Sequence, residues 1–158
     1  VTDPRLTVEL VPRSSWGNNL RSALTHAEWD KLRKAIYRRA GDKCEVCGSK
    51  GTRHPVECHE IWGYDDTAHV QTLQGLVALC PSCHEVKHFG RAEGFGHGER
   101  ALRHLMTVNG WEEAETKAYL VRAFDLWARR SRYGWTVDLT WLEDHGVTPP
   151  KVKVREAL

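Results

Sequence analysis

Four of the five cysteines fall into two Cys-x2-Cys pairs, Cys44/Cys47 and Cys80/Cys83, while Cys58 stands alone. Paired thiolates at this spacing suit a tetrahedral zinc ion, because one tight turn supplies two ligands. An odd cysteine count argues against a disulfide framework. The pairs must meet across the 32 residues between Cys47 and Cys80, so each needs its own turn. Gly48 supplies permissive backbone after the first pair, and Pro81-Ser82 builds the turn inside the second. His84 and His88 follow at i, i+4, one above the other on a helical face. A finger-type set of Cys44, Cys47, His84 and His88 would need 36 residues between Cys47 and His84. Fingers use roughly 12 to 15, and Cys80 and Cys83 would be left over. Four thiolates on a structural Zn2+ is the preferred reading, which frees the histidines for other chemistry.

Upstream, Pro55-Val56-Glu57-Cys58-His59-Glu60-Ile61-Trp62 is a β-prone run closed by Gly63 and the acidic turn Tyr64-Asp65-Asp66. A strand bearing His59 and Glu60, a connecting segment and a helix bearing His84 and His88 would form a ββα unit. Imidazoles and a carboxylate would then converge beside the zinc, a set able to hold a divalent ion and activate water. Adjacent strand residues point to opposite sides, so His59 and Glu60 share a face only where the strand ends or twists. Cys58 reads as a small buried thiol, and Asp65 and Asp66 as turn formers.

The elements that must position this chemistry follow from periodicity. Thr25 and Glu28 form a capping-box pattern ahead of Trp29, Leu32, Ile36 and Ala40, which predicts a helix over 26–40 ending at Gly41. Its outward side carries Lys31, Arg33, Lys34, Arg38 and Arg39, a solvated face or a phosphate-contacting one. Residues 6–11 read as a short edge strand stopped by Pro12, and the glycine-rich stretch from Gly90 to Gly98 as a loop. Helical patterns run from Glu99 to Val108 and from Glu112 to Arg130; the second carries a stripe of Ala114, Ala118, Val121, Leu120, Phe124 and Trp127. Alternation of Trp135, Val137, Leu139 and Trp141 predicts a half-buried strand or arm over 134–142, and Pro149-Pro150 opens a tail.

The chain has 158 residues, with 41% hydrophobic and 28% charged. That composition excludes wholesale disorder. The longest apolar run, from Leu76 to Cys80, is far short of a bilayer span, and no leader pattern opens the chain. A cytoplasmic protein with no membrane partner is the expectation. A formal charge of +2 implies no nucleic-acid partner by itself.

The order Cys-x2-Cys-Gly, a strand with an adjacent polar pair followed by Ile, then Leu-Cys-x2-Cys-His-x2-Lys-His resembles the HNH endonuclease family. The resemblance covers about Ala40 to Arg91 and is most specific from Ala78 to His88. It implies a ββα-metal, treble-clef-like fold and structural zinc on Cys44, Cys47, Cys80 and Cys83. It also implies a catalytic divalent ion held by His59 and His84, with the trailing His88 on phosphate or metal. Two positions depart from the family: Glu60 stands where the general-base His belongs, and Gly75 where the orienting Asn belongs. Three repairs are open. Glu60 acts as base; or His59 acts as base with Glu60 or Glu57 on the metal; or Gln71 or Gln74 replaces the Asn. The second is favoured, since an imidazole titrates near neutrality and Mg2+ prefers carboxylate oxygen.

The expected fold is therefore α+β, a small zinc-stabilised HNH-like core with flanking α-helices. The expected division is 1–39 (strand and basic helix), 40–92 (core), 93–148 (helical extension with a Trp-rich strand) and 149–158 (tail). The expected function is divalent-metal-dependent DNA hydrolysis, with RNA open as substrate. Zn2+ is structural and Mg2+, Mn2+ or another divalent ion catalytic. Site residues are His59, Glu60 and His84, with Lys87, His88, Arg33, Lys34 and Arg38 on the nucleic acid. The alternative is a binding module that kept the zinc and lost the base.

Overall fold

A capping box starts the helix that carries the first core. In the computed structural model, which describes residues 3–152, Thr25 Oγ1 accepts from Glu28 N at 3.2 Å and Glu28 Oε2 from Thr25 N at 2.9 Å. Residues 153–158 of the expected tail lie outside the described residues. A one-turn helix α1, Leu20–Ala23, precedes the capped helix α2, His26–Ala40, which ends at Gly41 with φ +60°. That left-handed terminus suits glycine. Strands β1, Glu57–Asp65, and β2, Val70–Leu79, form an antiparallel hairpin. Its turn is an Asx turn in which Asp65 Oδ1 accepts from Thr67 N and Ala68 N, both at 2.9 Å.

The hairpin is not regular. His59 pairs with Val77 and Ile61 with Gly75, but Trp62 pairs with Leu73, leaving Gln74 as a bulge. Helices α3 (Pro81–Lys87), α4 (Phe89–Gly94), α5 (Gly98–Asn109) and α6 (Glu113–Arg130) follow. Strand β3, Thr136–Asp138, then adds parallel to β2, so the sheet is mixed with order β1-β2-β3.

The strands serve two cores. Trp29, Leu32 and Ile36 of α2 pack with Cys58, Leu73, Leu76 and Ala78 of the hairpin and with Val137, Leu139 and Leu142 beyond it. A second cluster joins Leu79, Cys80 and Cys83 to Val86, Phe89, Leu105 and Leu120 on α3 to α6. The histidine-bearing parts of β1 and α3 meet between these clusters.

Several expectations are corrected by this packing. Residues 6–11 form no strand, because their backbone bonds go elsewhere: Leu6 N to Asn109 Oδ1, Val8 N to Tyr119 OH and Glu9 N to Lys87 O, each 2.9 Å. The 90–98 stretch is largely helical as α4, held by buried Phe89 and Ala92. In the 134–142 run the alternation holds through Trp135, Val137 and Leu139, after which a 3-10 helix, Thr140–His145, buries Leu142. On α6, Val121 is 61% exposed and Thr116 takes a buried place instead.

Truncating Leu76, 2% exposed in the first core, to Ala should cost about 2–5 kcal/mol in chemical denaturation. Thr25→Ala, which removes only the cap, should cost about 1 kcal/mol.

Candidate metal centre

The two cysteine turns are brought together by the end of the hairpin. Glu45 N donates to Ala78 O at 2.9 Å, and Ala78 N donates back to Glu45 Oε2 at 2.8 Å. Arg39 clamps the same carboxylate at 2.7 Å. The first turn closes with Gly48 N on Cys44 O at 2.9 Å, and Gly48 takes φ +79°. In the second, Cys80 is the N-cap of α3, its Sγ accepts from Cys83 N, and Pro81 occupies the first turn, where its missing N–H costs nothing. The four sulfurs of Cys44, Cys47, Cys80 and Cys83 lie within 4.8 Å of one another, a grouping suited to structural zinc. The Cys83 thiol, ahead of several backbone N–H groups, holds Cys44 down to about 4. Thiolate at Cys44 is the form a metal binds. His104 Nε2 of α5 lies 3.2 Å from Cys83 Sγ, an outer contact to the cluster.

A second group assembles next to it. His59, His84 and His88 each offer a nitrogen such that the three lie within 4.8 Å, and their ring centroids are 4.7–5.2 Å apart. The i, i+4 spacing on α3 sets the last two, with Nε2 atoms 3.1 Å apart. Carboxylates behind the ring assign the nitrogens. Glu57 accepts from His84 Nδ1, which leaves Nε2 with the lone pair. Glu9 Oε2 accepts from His59 Nε2 at 3.1 Å, and His59 Nδ1 is buried with no hydrogen-bond partner. Carboxylate-to-imidazole-to-metal relays have this form. Burial, then the neighbouring imidazoles, holds His59 well below the ordinary histidine range, so it is neutral at neutral pH, while His88 is exposed. His84 beside Glu57 holds its carboxyl down to about 2. Burial pushes Glu9 up to about 7, against the pull of Lys87.

Strand alternation separates the predicted pair. Glu57 and His59 face α3, whereas Cys58 faces α2 and Glu60 Oε1 accepts from Leu20 N at 2.9 Å. Glu60 is therefore outside the imidazole group, contrary to the expectation that it joins His59 on the ion, and Glu57 occupies that face. The nucleic-acid residues also divide. Lys87 Nζ donates to Thr7 Oγ1 at 2.8 Å and is half-buried, and burial lowers its pKa, so it is no open phosphate contact. Lys34 and Arg33 both pair with Asp30, at 3.1 and 2.6 Å. Arg38 is exposed on α2. Gly75 faces Ile61 across the hairpin, while Gln71 is buried with Oε1 unpartnered.

A depression of about 660 Å³ opens over His84 and His88 and is lined by Arg21, Arg33 and Arg91 together with Glu57 and Glu60. Arg21, Arg91 and Glu9 were absent from the sequence reading. Glu9 and Arg21 reach the site from separate segments, whereas Arg91 follows His88 by three residues at the start of α4. Among the described residues no helix is long and apolar enough to cross a membrane. No family model, no curated protein and no solved structure matches the chain.

Stripping the metal with a strong chelator should remove the cooperative unfolding transition, since α3 and the first turn depend on the thiolates. Cys58 is 8% exposed and burial pushes its thiol up to about 12. Iodoacetamide at mildly alkaline pH should therefore leave the native zinc-loaded protein unlabelled, and mass spectrometry should show all five cysteines modified once denatured with chelator.

Proposed function

We propose that the protein is a metal-dependent endonuclease of the HNH type that hydrolyses DNA phosphodiester bonds. The observation carrying this reading is the three-imidazole group, backed by Glu57 and Glu9, of which His84 and His88 line an arginine-bearing groove. The order of hairpin, cysteine turn and short helix around it supports the ββα-metal, treble-clef-like reading of residues 40–92. His59 Nδ1, His84 Nε2 and His88 Nε2 would hold the ion. An all-nitrogen set favours Zn2+ or Ni2+ over Mg2+ and Mn2+, which prefer oxygen. A bound divalent ion supplies Lewis-acid polarisation of the phosphate and acidifies water.

The chain's own residues do the rest. Arg21 and Arg91 hold the phosphodiester backbone along the groove, while Arg33 stays on Asp30. Glu57 and Glu9 fix the ring orientation of His84 and His59. Glu60 lines the groove beside the imidazoles and takes the proton of the attacking water as general base. The water oxygen joins phosphorus as the bond to the 3′ oxygen breaks, giving a 5′-phosphate and a 3′ oxygen that takes a proton from solvent. The bond from Leu20 N to Glu60 favours one second reading, in which this carboxylate is structural and the module binds nucleic acid without cutting.

On supercoiled plasmid with Ni2+ or Zn2+, the protein should nick or linearise DNA. His84→Ala should abolish both cleavage and binding of the second ion while keeping the thiolate zinc. Glu60→Gln should keep both ions and lower the cleavage rate by about 10²–10⁴-fold. Salt-dependent binding with no strand breaks under any metal would select the binding module instead.

A further inference from the structure

Adjoining the arginine groove, and sharing Asn19, Glu60, His88 and Arg91 with it, lies a second depression of about 570 Å³, the size of a small-molecule site. Its walls are largely aromatic and aliphatic. Trp16 and Trp127 are stacked, with centroids 6.5 Å apart and planes inclined by 17°, and Phe124 sits edge-on to Trp127 at 6.3 Å. Trp16 is 49% exposed, a large flat face left accessible. His59 and His88 form the end of the same wall, so the pocket reaches the imidazole centre. Glu60 and Arg91 border both depressions, which join around them.

Three buried polar atoms on residues of this wall have no hydrogen-bond partner: Ser15 Oγ, His59 Nδ1 and Gln71 Oε1. Gln71 of β2 is 1% exposed, and its Oε1 has no hydrogen-bond partner. An unpaired buried carbonyl is destabilising. Its missing partner is a donor, N–H or O–H. Glu9, Glu60 and Glu93 on the same walls oppose an anionic ligand, with Arg91 the cation among the lining residues. A flat, neutral ring carrying N–H groups satisfies both the aromatic walls and the orphan acceptor.

We infer that this pocket receives a nucleobase of the strand whose phosphate lies at the imidazole centre, stacked on Trp16 and donating an N–H to Gln71 Oε1. The sugar-phosphate chain runs in the arginine groove while the base turns away from it into the pocket. Stacking of a displaced base on an aromatic face is favourable, which favours unpaired or distorted sites over regular duplex. The placement rests on the endonuclease reading, but the binding does not.

The test therefore uses the zinc-loaded His84→Ala protein, in which cleavage plays no part. Adenosine, cytidine and purine riboside, which lacks the exocyclic amine, are titrated while tryptophan fluorescence is followed. Adenosine and cytidine should quench saturably, and purine riboside should bind about tenfold more weakly than adenosine, the loss of one hydrogen bond. Gln71→Leu should weaken adenosine about tenfold and erase its advantage over purine riboside. Trp16→Ala, a change at a half-exposed side chain, should weaken all three. No saturable quenching by any nucleoside overturns the inference. So do equal affinities for adenosine and purine riboside, which would mark the pocket as an unselective apolar slot.

Discussion

The convergence of two cysteine turns on the end of one hairpin is the constraint on which the rest of the structure depends. Helix α3 has seven residues, far below the length at which an isolated helix holds in water. It stands because Cys80 and Cys83 anchor its first turn beside Cys44 and Cys47, and because Val86 is buried under α5. His84 and His88 inherit their position from that anchor. The thiolate cluster thus acts on the imidazoles through geometry, as a fixed origin from which α3 projects.

The second ordering principle is strand alternation. β1 gives Cys58 to the core under α2 and Glu57 and His59 to the side of α3. One strand therefore seals a hydrophobic layer and furnishes a polar site. Glu9 completes that site from a segment with no regular secondary structure, pinned by Lys87 O and by the bond from Trp62 N to Glu9 Oε1 at 3.1 Å. Buried carboxylates of this kind are tolerable only when their oxygens are occupied, and both oxygens of Glu9 are. The N-terminal segment is thereby tied to the site as well as to α5 and α6.

Local signals were legible in the sequence and long-range ones were not. The capping box at Thr25 marks both ends of α2 with its glycine stop, and the cysteine spacing marks the candidate zinc cluster. Both are encoded within a few residues. The alternation rule also carried the warning that His59 and Glu60 diverge, which the structure bears out by placing Glu60 on Leu20 N. Glu57 was readable as the residue sharing a face with His59, two positions away. Glu9 and Arg21 were not, since only tertiary packing brings residues so distant in sequence together. Residues 6–11 show the same limit: the alternation is real, but Asn109 and Tyr119 side chains take the bonds a neighbouring strand would have taken.

The central claim is that the chain holds two chemically different metal sites, one of sulfur and one of nitrogen. Titration of the metal-free protein with Co2+ under reducing conditions, followed by absorption spectroscopy, tests this most directly. The account predicts two equivalents. The first brings intense sulfur-to-metal charge-transfer and tetrahedral ligand-field bands, and the second adds ligand-field intensity without further charge transfer, an addition lost in His84→Ala. Saturation at one equivalent, with the full spectrum of a tetrathiolate site and no change in His84→Ala, would contradict it.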